Sequence, residues 1–204
     1  MKKRNKIILL ILTIILYIVN TMLVISNKYL IIDDRVHAFI RKPAGPGMEK
    51  VMKVFTFFGS GTFIVLLALV LLIVYLVKHQ KNKAIIVGGS IALSTIVNNI
   101  VKVIIRRPRP EYITVVEKSF SYPSGHVMAS TTLYGIIIYL ICKSNLKKPL
   151  KALYSILLSI LVILVGISRI YLGAHFFSDV LGAILLSLSL LFAIDLFNDK
   201  KKLI

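Results

Sequence analysis

Three short polar segments interrupt an otherwise apolar chain, and each holds side chains able to bind or transfer a charged group. They are Lys102 with Arg109 and Pro110; Pro123, Ser124, Gly125 and His126; and Ser168 and Arg169 with His175 and Asp179. An ionisable group in hydrocarbon costs about 2.5–3.5 kcal/mol even on the lenient insertion scale, so charges at the ends of apolar runs need a reason. Arg109 follows Lys102 past a turn forced by Pro108 and Pro110, which lets an ammonium and a guanidinium approach one point. Together with Arg169 they supply three cations, suited to an anion carrying about two negative charges. The Pro123 to His126 segment opens a helix, and a Ser-Gly pair there presents free backbone N–H groups at the positive end of the helix dipole. Gly125 lets an anion approach the backbone, and His126 stands beside it as a proton donor. His175 and Asp179, four residues apart, share one helix face. A carboxylate there fixes the imidazole tautomer and stabilises the cation that forms when the other ring nitrogen attacks. Taken alone, such a pair is ordinarily a solvated surface contact; the three segments gain meaning only if they converge.

The elements that must bring them together are helices. Of 204 residues 57% are apolar, the mean hydropathy is +0.87, and several apolar runs approach the ~20 residues that span a bilayer. The expected architecture is all-α: one membrane domain over residues 1–204 with six transmembrane helices in one bundle. Their ranges are about Ile7 to Ser26, Phe57 to Val77, Ala84 to Ile105, Val127 to Cys142, Ala152 to Ile167 and Val180 to Phe197, with the catalytic core over residues 84–197. The fourth and fifth are short, so their helices should continue into the flanking polar motifs. The formal net charge of +18 invites a nucleic-acid reading, but the cations cluster in the turns between apolar runs, which argues against that partner. The first run follows Lys2, Lys3, Arg4 and Lys6 as a signal peptide would. It is too long for a signal core and lacks a small-residue cleavage pattern, so a retained span is expected. Cys142, the only cysteine, excludes an intramolecular disulfide and a cysteine metal cluster.

With the N-terminus inside, Lys2 to Lys6, then Lys78, Lys81 and Lys83, then Lys143, Lys147, Lys148 and Lys151, and finally Lys200, Lys201 and Lys202 all face the cytoplasm. That satisfies the positive-inside tendency, placing both termini in the cytoplasm and the three polar motifs on the outer face. Arg106, Arg107 and Arg109 are the exceptions on that outer side: snorkelling to lipid phosphates is an even reading for Arg106 and Arg107, and the weaker one for Arg109, given the neighbouring motifs. Residues 27–56 form an outer-face connector broken at Pro43-Ala44-Gly45-Pro46-Gly47. Within it Ile32, Val36, Phe39 and Ile40 recur at helical spacing, so a short interfacial helix is expected, either covering the site or packing passively on the rim. His37 there reads as a surface histidine. Gly59 to Gly61, Gly88-Gly89-Ser90 and Gly182-Ala183 should permit close helix contact, and Asn98 and Asn99 should bond between helices.

In combination the motifs are far more specific than singly. The chain resembles the type 2 phosphatidic acid phosphatase and vanadium haloperoxidase superfamily, whose signature is Lys-x6-Arg-Pro, Pro-Ser-Gly-His and Ser-Arg-x5-His-x3-Asp. Lys102 to Pro110, Pro123 to His126 and Ser168 to Asp179 match it without departure, and the six-span layout resembles the integral-membrane branch. The resemblance implies His175 as nucleophile, Asp179 as its orienting carboxylate and His126 as general acid. It implies Lys102, Arg109, Ser124, Gly125 and Arg169 as phosphate-binding residues, supported by Pro110, Pro123 and Ser168. Neither a metal nor another cofactor is implied. The expected substrate is a lipid phosphate in a bacterial cell membrane: undecaprenyl diphosphate, phosphatidylglycerophosphate or, third, phosphatidic acid. The sequence names no protein partner. The alternatives are a lipid or sugar phosphotransferase using the same phosphohistidine, a haloperoxidase, which the membrane spans argue against, and a non-catalytic transporter or scaffold with a vestigial site.

Overall fold

Eight α-helices and no strand occur among the described residues of the computed structural model, which are 2–43, 45–111, 117 and 119–201. Ala44 and Lys202, both read above, lie outside them. The helices are α1 (Lys3–Ile25), α2 (Leu30–Arg41), α3 (Pro46–Phe58), α4 (Gly61–Val77), α5 (Lys81–Ile105), α6 (Gly125–Lys143), α7 (Lys148–Tyr171) and α8 (Phe177–Lys201). Five of these, α1 and α5 to α8, are long and apolar enough to cross a membrane, and α3 with α4, bent by 40° at their junction, makes a sixth if the pair is counted as one broken span. As the sequence suggests, α6 and α7 run on into their motifs: α6 takes in His126 and α7 takes in Ser168 and Arg169.

The second span departs from expectation. A continuous helix from Phe57 gives way to a break at Gly59 and Ser60, where the Ser60 hydroxyl caps α4 by accepting from the Phe63 N–H at 3.3 Å. Packing requires the glycine at this break, because a Cβ on Gly59 would come within 2.5 Å of Val165 Cγ1 and 3.3 Å of the His126 carbonyl oxygen. Nor is the connector irregular after Gly45. Pro46, unable to donate an N–H, starts α3 at the position where none is needed, and α3 packs along α7.

A helix, α2, is present where the amphipathic spacing suggests one, but with a different inward face. Ile32 and Phe39 point outward, at 47% and 69% exposure, while Asp33 is fully buried and Val36 and Ile40 pack on the core. His37 is half-buried on this same side rather than a surface histidine. The inward face is rotated by one residue, about 100° around the helix, from Ile32 to Asp33, and an aspartate on the inner face disguises it.

Antiparallel succession assembles the rest. Because α5, α6, α7 and α8 alternate in direction, the C-terminal ends of α5 and α7 meet the N-terminal ends of α6 and α8. Those four ends carry Lys102, His126, Arg169 and Asp179. α1 lies along α8, joined by Lys6 to Asp195 (2.8 Å) and Asp199 (2.6 Å), by Ser189 to Thr13 (3.0 Å), and by the Asn20 amide to the Ser178 carbonyl (3.2 Å). Large apolar side chains such as Ile8, Leu66, Ile104 and Ile156 remain exposed around the bundle, as a lipid-facing belt requires.

Tyr122 is fully buried with its ring against Gly182 of α8, where a Cβ would lie 2.5 Å from its hydroxyl. Gly182→Ala is therefore expected to cost about 1–3 kcal/mol by overpacking. Gly89→Ala, with nothing within 4 Å, should be neutral or gain up to about 1 kcal/mol of helix propensity. Thermal unfolding of both variants in detergent checks the contrast.

Candidate active site

Each motif owes its position to a helix end. α5 closes with Arg106 in the left-handed region (φ 52°), its N–H donating to the Lys102 carbonyl. The chain thereby turns out of α5 so that Lys102 comes up from the helix and Arg107 and Arg109 from the loop. Ser124 is the N-cap of α6. α7 ends in a turn at Gly173 (φ 66°), a conformation that suits glycine, after which the Ala174 and His175 N–H groups donate back to the Arg169 carbonyl at 3.0 and 3.3 Å. That turn sets His175 over the end of the helix carrying Arg169.

These ends enclose a cavity of about 290 Å³. Lys102, Arg109, Gly125 and His126 line it together with His175. Ser124, Arg169 and Asp179 stand behind them in its wall, fully or almost fully buried. All eight catalytic and phosphate-binding candidates thus converge on one place. Of the supporting residues, Pro110 and Pro123 are buried, and the Ser168 hydroxyl donates to its own helix at Val165 (2.7 Å).

His175 is held from both sides. Its Nδ1 lies 3.4 Å from Asp179 Oδ2, and its Nε2 lies 3.3 Å from Arg109 Nη1 on the cavity side. Asp179 Oδ2 also accepts from the Phe176 N–H (3.0 Å), while Oδ1 accepts from Arg107 Nη1 (2.6 Å). Burial, then the Arg169, Arg109 and Lys102 charges, holds the imidazole well below its usual range, so His175 is neutral at neutral pH. Arg109 is fixed by donating to the Ala174 and Ser119 carbonyls, each at 2.7 Å, and Lys102 donates to the Phe120 carbonyl. Ser124 Oγ and Arg169 Nε are buried without a protein hydrogen-bond partner, so both are able to meet an incoming anion.

Four residues at the site escaped the sequence reading. Glu117 bridges the cations, accepting from Arg169 Nη2 and lying 3.4 Å from Arg109 Nη2. Burial raises its carboxyl, but Arg169 and Arg109 outweigh that and leave it below the usual range. Thr56, on the unexpected α3, accepts from Arg169 Nη1 at 2.8 Å. Arg107, placed between two readings above, is buried and paired with Asp179 and Asp33, whereas Arg106 stays exposed and bonds to its own helix. Asp33 had stood out only as a polar member of an amphipathic helix. Asn98 makes the expected interhelical bond, to Met128 Sδ of α6 at 3.4 Å, and also donates to the Pro123 carbonyl ahead of α6 at 3.3 Å, while Asn99 is exposed and lines the cavity.

The sequence profile of the PAP2 superfamily matches residues 83–202. The chain is 35% identical over 163 residues to phosphatidylglycerophosphatase B of Bacillus subtilis strain 168, covering 77% of this chain and 78% of that one. It is similar in structure to a transmembrane PAP2 type phosphatidylglycerolphosphate phosphatase from Bacillus subtilis, with TM-score 0.85 and 27% identity over 94% of this chain and 96% of the other. Aquifex aeolicus LpxE shares the fold, with TM-score 0.61 and 23% identity over 78% and 92% of the two chains.

Glu117→Gln would remove the chain's own anion from Arg109 and Arg169. Added orthophosphate should then bind about tenfold tighter, equivalent to roughly 1.4 kcal/mol, and raise the Tm more than in the parent protein. Equal phosphate-dependent shifts in the two proteins would show that these arginines do not serve an anion.

Proposed function

The chain belongs to the PAP2 superfamily, and from that membership we propose that it is an integral-membrane lipid phosphatase working through a phosphohistidine on His175. The observation that carries this reading is the two-sided environment of that imidazole: Nδ1 faces a buried carboxylate, and Nε2 faces the cavity beside a guanidinium. With the proton on Nδ1, toward Asp179, the lone pair lies on Nε2, where Arg109 Nη1 now donates to it at 3.3 Å; the lone pair attacks phosphorus once Arg109 has turned to the phosphoryl oxygens. The N–P bond forms as the bond to the leaving oxygen breaks, and His126 delivers a proton to that oxygen. Asp179 stabilises the imidazolium character of the intermediate. Water then attacks the phosphohistidine, His126 accepts its proton, and phosphate leaves with His175 restored. Lys102, Arg109, Arg169, Ser124 and the Gly125 backbone bear the charge on the phosphoryl oxygens, with Arg109 and Arg169 releasing Glu117 to do so.

The substrate is a lipid whose tail stays in the bilayer while its phosphate enters the cationic recess. The 35% identity to phosphatidylglycerophosphatase B favours phosphatidylglycerophosphate. Undecaprenyl diphosphate presents the same terminal phosphoryl group and is the second candidate. The distribution of basic residues supports both termini in the cytoplasm and the cavity on the outer face of a bacterial cell membrane. A phosphotransferase would share every step up to the phosphohistidine and differ only in the acceptor hydroxyl.

His175→Ala should abolish turnover, because His175 both lies against Asp179 and lines the cavity; wild-type phosphate release by that variant would overturn the mechanism. In the parent enzyme kcat/KM should hold as the pH falls through the ordinary histidine range near 6.5 and decline only below it, because the lowered affinity of His175 for a proton keeps it neutral there. Phosphate release from phosphatidylglycerophosphate, undecaprenyl diphosphate and phosphatidic acid in micelles ranks the substrates, and a phosphorylated acceptor without free phosphate would mark a transferase. Topology is read separately. In a Cys142→Ser background, Glu111→Cys should react with an impermeant maleimide from outside the cell, and labelling solely from the cytoplasmic side would invert the orientation.

A further inference from the structure

We propose that Asp33 of α2, acting through Arg107, is a positioning residue for the His175–Asp179 pair. This rests on the reading of His175 as the nucleophile. Asp33 is completely buried, and its carboxylate accepts three hydrogen bonds: from Arg107 Nη2 (2.8 Å), from the Ser178 N–H (2.9 Å) and from Ser178 Oγ (2.7 Å). Arg107 in turn donates through Nη1 to Asp179 Oδ1 (2.6 Å) and Ser178 Oγ (2.7 Å), with its guanidinium 4.1 Å from the centroid of the Phe176 ring. Hydrogen bonds thus run from Asp33 through Arg107 to Asp179, all buried, and Asp179 Oδ2 lies 3.4 Å from a buried His175 Nδ1 that has no hydrogen-bond partner.

Stability alone is a poor reason for such a path. Well-packed apolar residues commonly match or exceed a buried ion pair, because desolvation offsets the Coulombic gain. The arrangement does, however, solve a problem created by the reaction. Asp179 must retain enough negative character to stabilise charge on His175, yet it lies fully buried against an arginine. A guanidinium committed to Asp179 alone would neutralise it. Shared between Asp33 and Asp179, it leaves the three groups one net negative charge. Geometry reinforces this: Arg107 is gripped from both sides, which holds Asp179 Oδ1 and leaves Oδ2 turned to His175.

The other charged and titratable groups facing His175 are Lys102 from α5, His126 from α6, Arg169 from α7, and Arg109 and Glu117 from the connection between α5 and α6. The cations outnumber Glu117, so the carboxylates behind the imidazole carry most of the opposing charge. Asp33 adds to them at one remove, without touching substrate.

Asp33→Asn keeps the size and the acceptor oxygen while removing the charge. In the full-length protein in detergent, we expect kcat to fall about tenfold with KM within twofold. The acid limb of the pH–rate profile should move to lower pH, because an imidazole with less negative charge behind it sheds its proton more readily. A purely structural role for Asp33 predicts otherwise: a lower Tm or fewer competent molecules, with kcat per competent molecule and the acid limb unmoved. That outcome, or wild-type behaviour throughout, overturns the proposal. If Asp33→Asn does not accumulate folded, Ser178→Ala carries the test, since it removes one hydrogen bond from each of Asp33 and Arg107; the expected kcat loss is about threefold in the same pattern, and an unmoved kcat and acid limb overturn the proposal. The two levels of inference separate cleanly. An active His175→Ala variant sinks the phosphohistidine, whereas an inactive His175→Ala beside a wild-type-like Asp33→Asn sinks only the role of Asp33.

Discussion

Two buried carboxylates share a single guanidinium, and the placement of everything around the cavity depends on that contact. Asp33 and Asp179 are both fully buried, and Arg107 lies within 2.8 Å of each. Breaking a buried pair by removing one member typically costs 3–5 kcal/mol, since the survivor is left charged and undersolvated. The three residues therefore have to arrive together. They come from α2, from the loop after α5 and from the first turn of α8, so one electrostatic requirement fixes three segments far apart in sequence. The Ser124 N–H, bonded to the Asp179 backbone carbonyl at 3.2 Å, extends the same constraint to the start of α6.

Around this anchor the bundle works as a scaffold of helix ends. Interior stretches of the helices face lipid or one another and carry little chemistry. The polar groups sit where backbone N–H and carbonyl groups are already unpaired by helix geometry, so burying them there uses donors and acceptors that the fold must satisfy in any case. Alternating helix direction then guarantees that successive motifs meet. The opposite end of the bundle has its own ionic contact, Lys6 with Asp195 and Asp199, which closes α1 against α8 far from the reaction.

Much of this was legible in the sequence because it is periodic or local. Six apolar runs announce the spans. Lys102, Arg109, His126, Arg169, His175 and Asp179 stand out because a charge or histidine beside hydrocarbon is conspicuous, and Ser124 and Gly125 because they open a helix beside His126. What stayed hidden has a common physical cause. Asp33 and Arg107 are 74 residues apart, and their pairing leaves no local trace. Each alone looks solvated, one on an amphipathic helix and the other among basic residues at a membrane surface. Glu117 lies in a polar loop where a carboxylate is unremarkable until Arg109 and Arg169 close on it. α3 was concealed by the glycines and prolines before it, which signal a break but also permit a helix starting at proline. The one sign pointing to Asp33 was its phase, three and seven residues before Val36 and Ile40, the two apolar positions of α2 that pack on the core.

The pairing of α1 with α8 bears on how the protein enters a membrane. α1 is made before α8, so α1 waits in the bilayer while the six helices between them are made and before its partner exists. Through that interval Thr13 bonds to its own helix, at the Leu9 and Leu10 carbonyls, and costs little. Asn20 is different, because its eventual partners are the Tyr122 hydroxyl and the Ser178 carbonyl, made more than a hundred residues later. An amide in hydrocarbon without those partners favours the interface or another helix. The seating of α1 on α8 therefore depends on groups that exist only after the later segments are made, the Tyr122 hydroxyl and the Ser178 carbonyl.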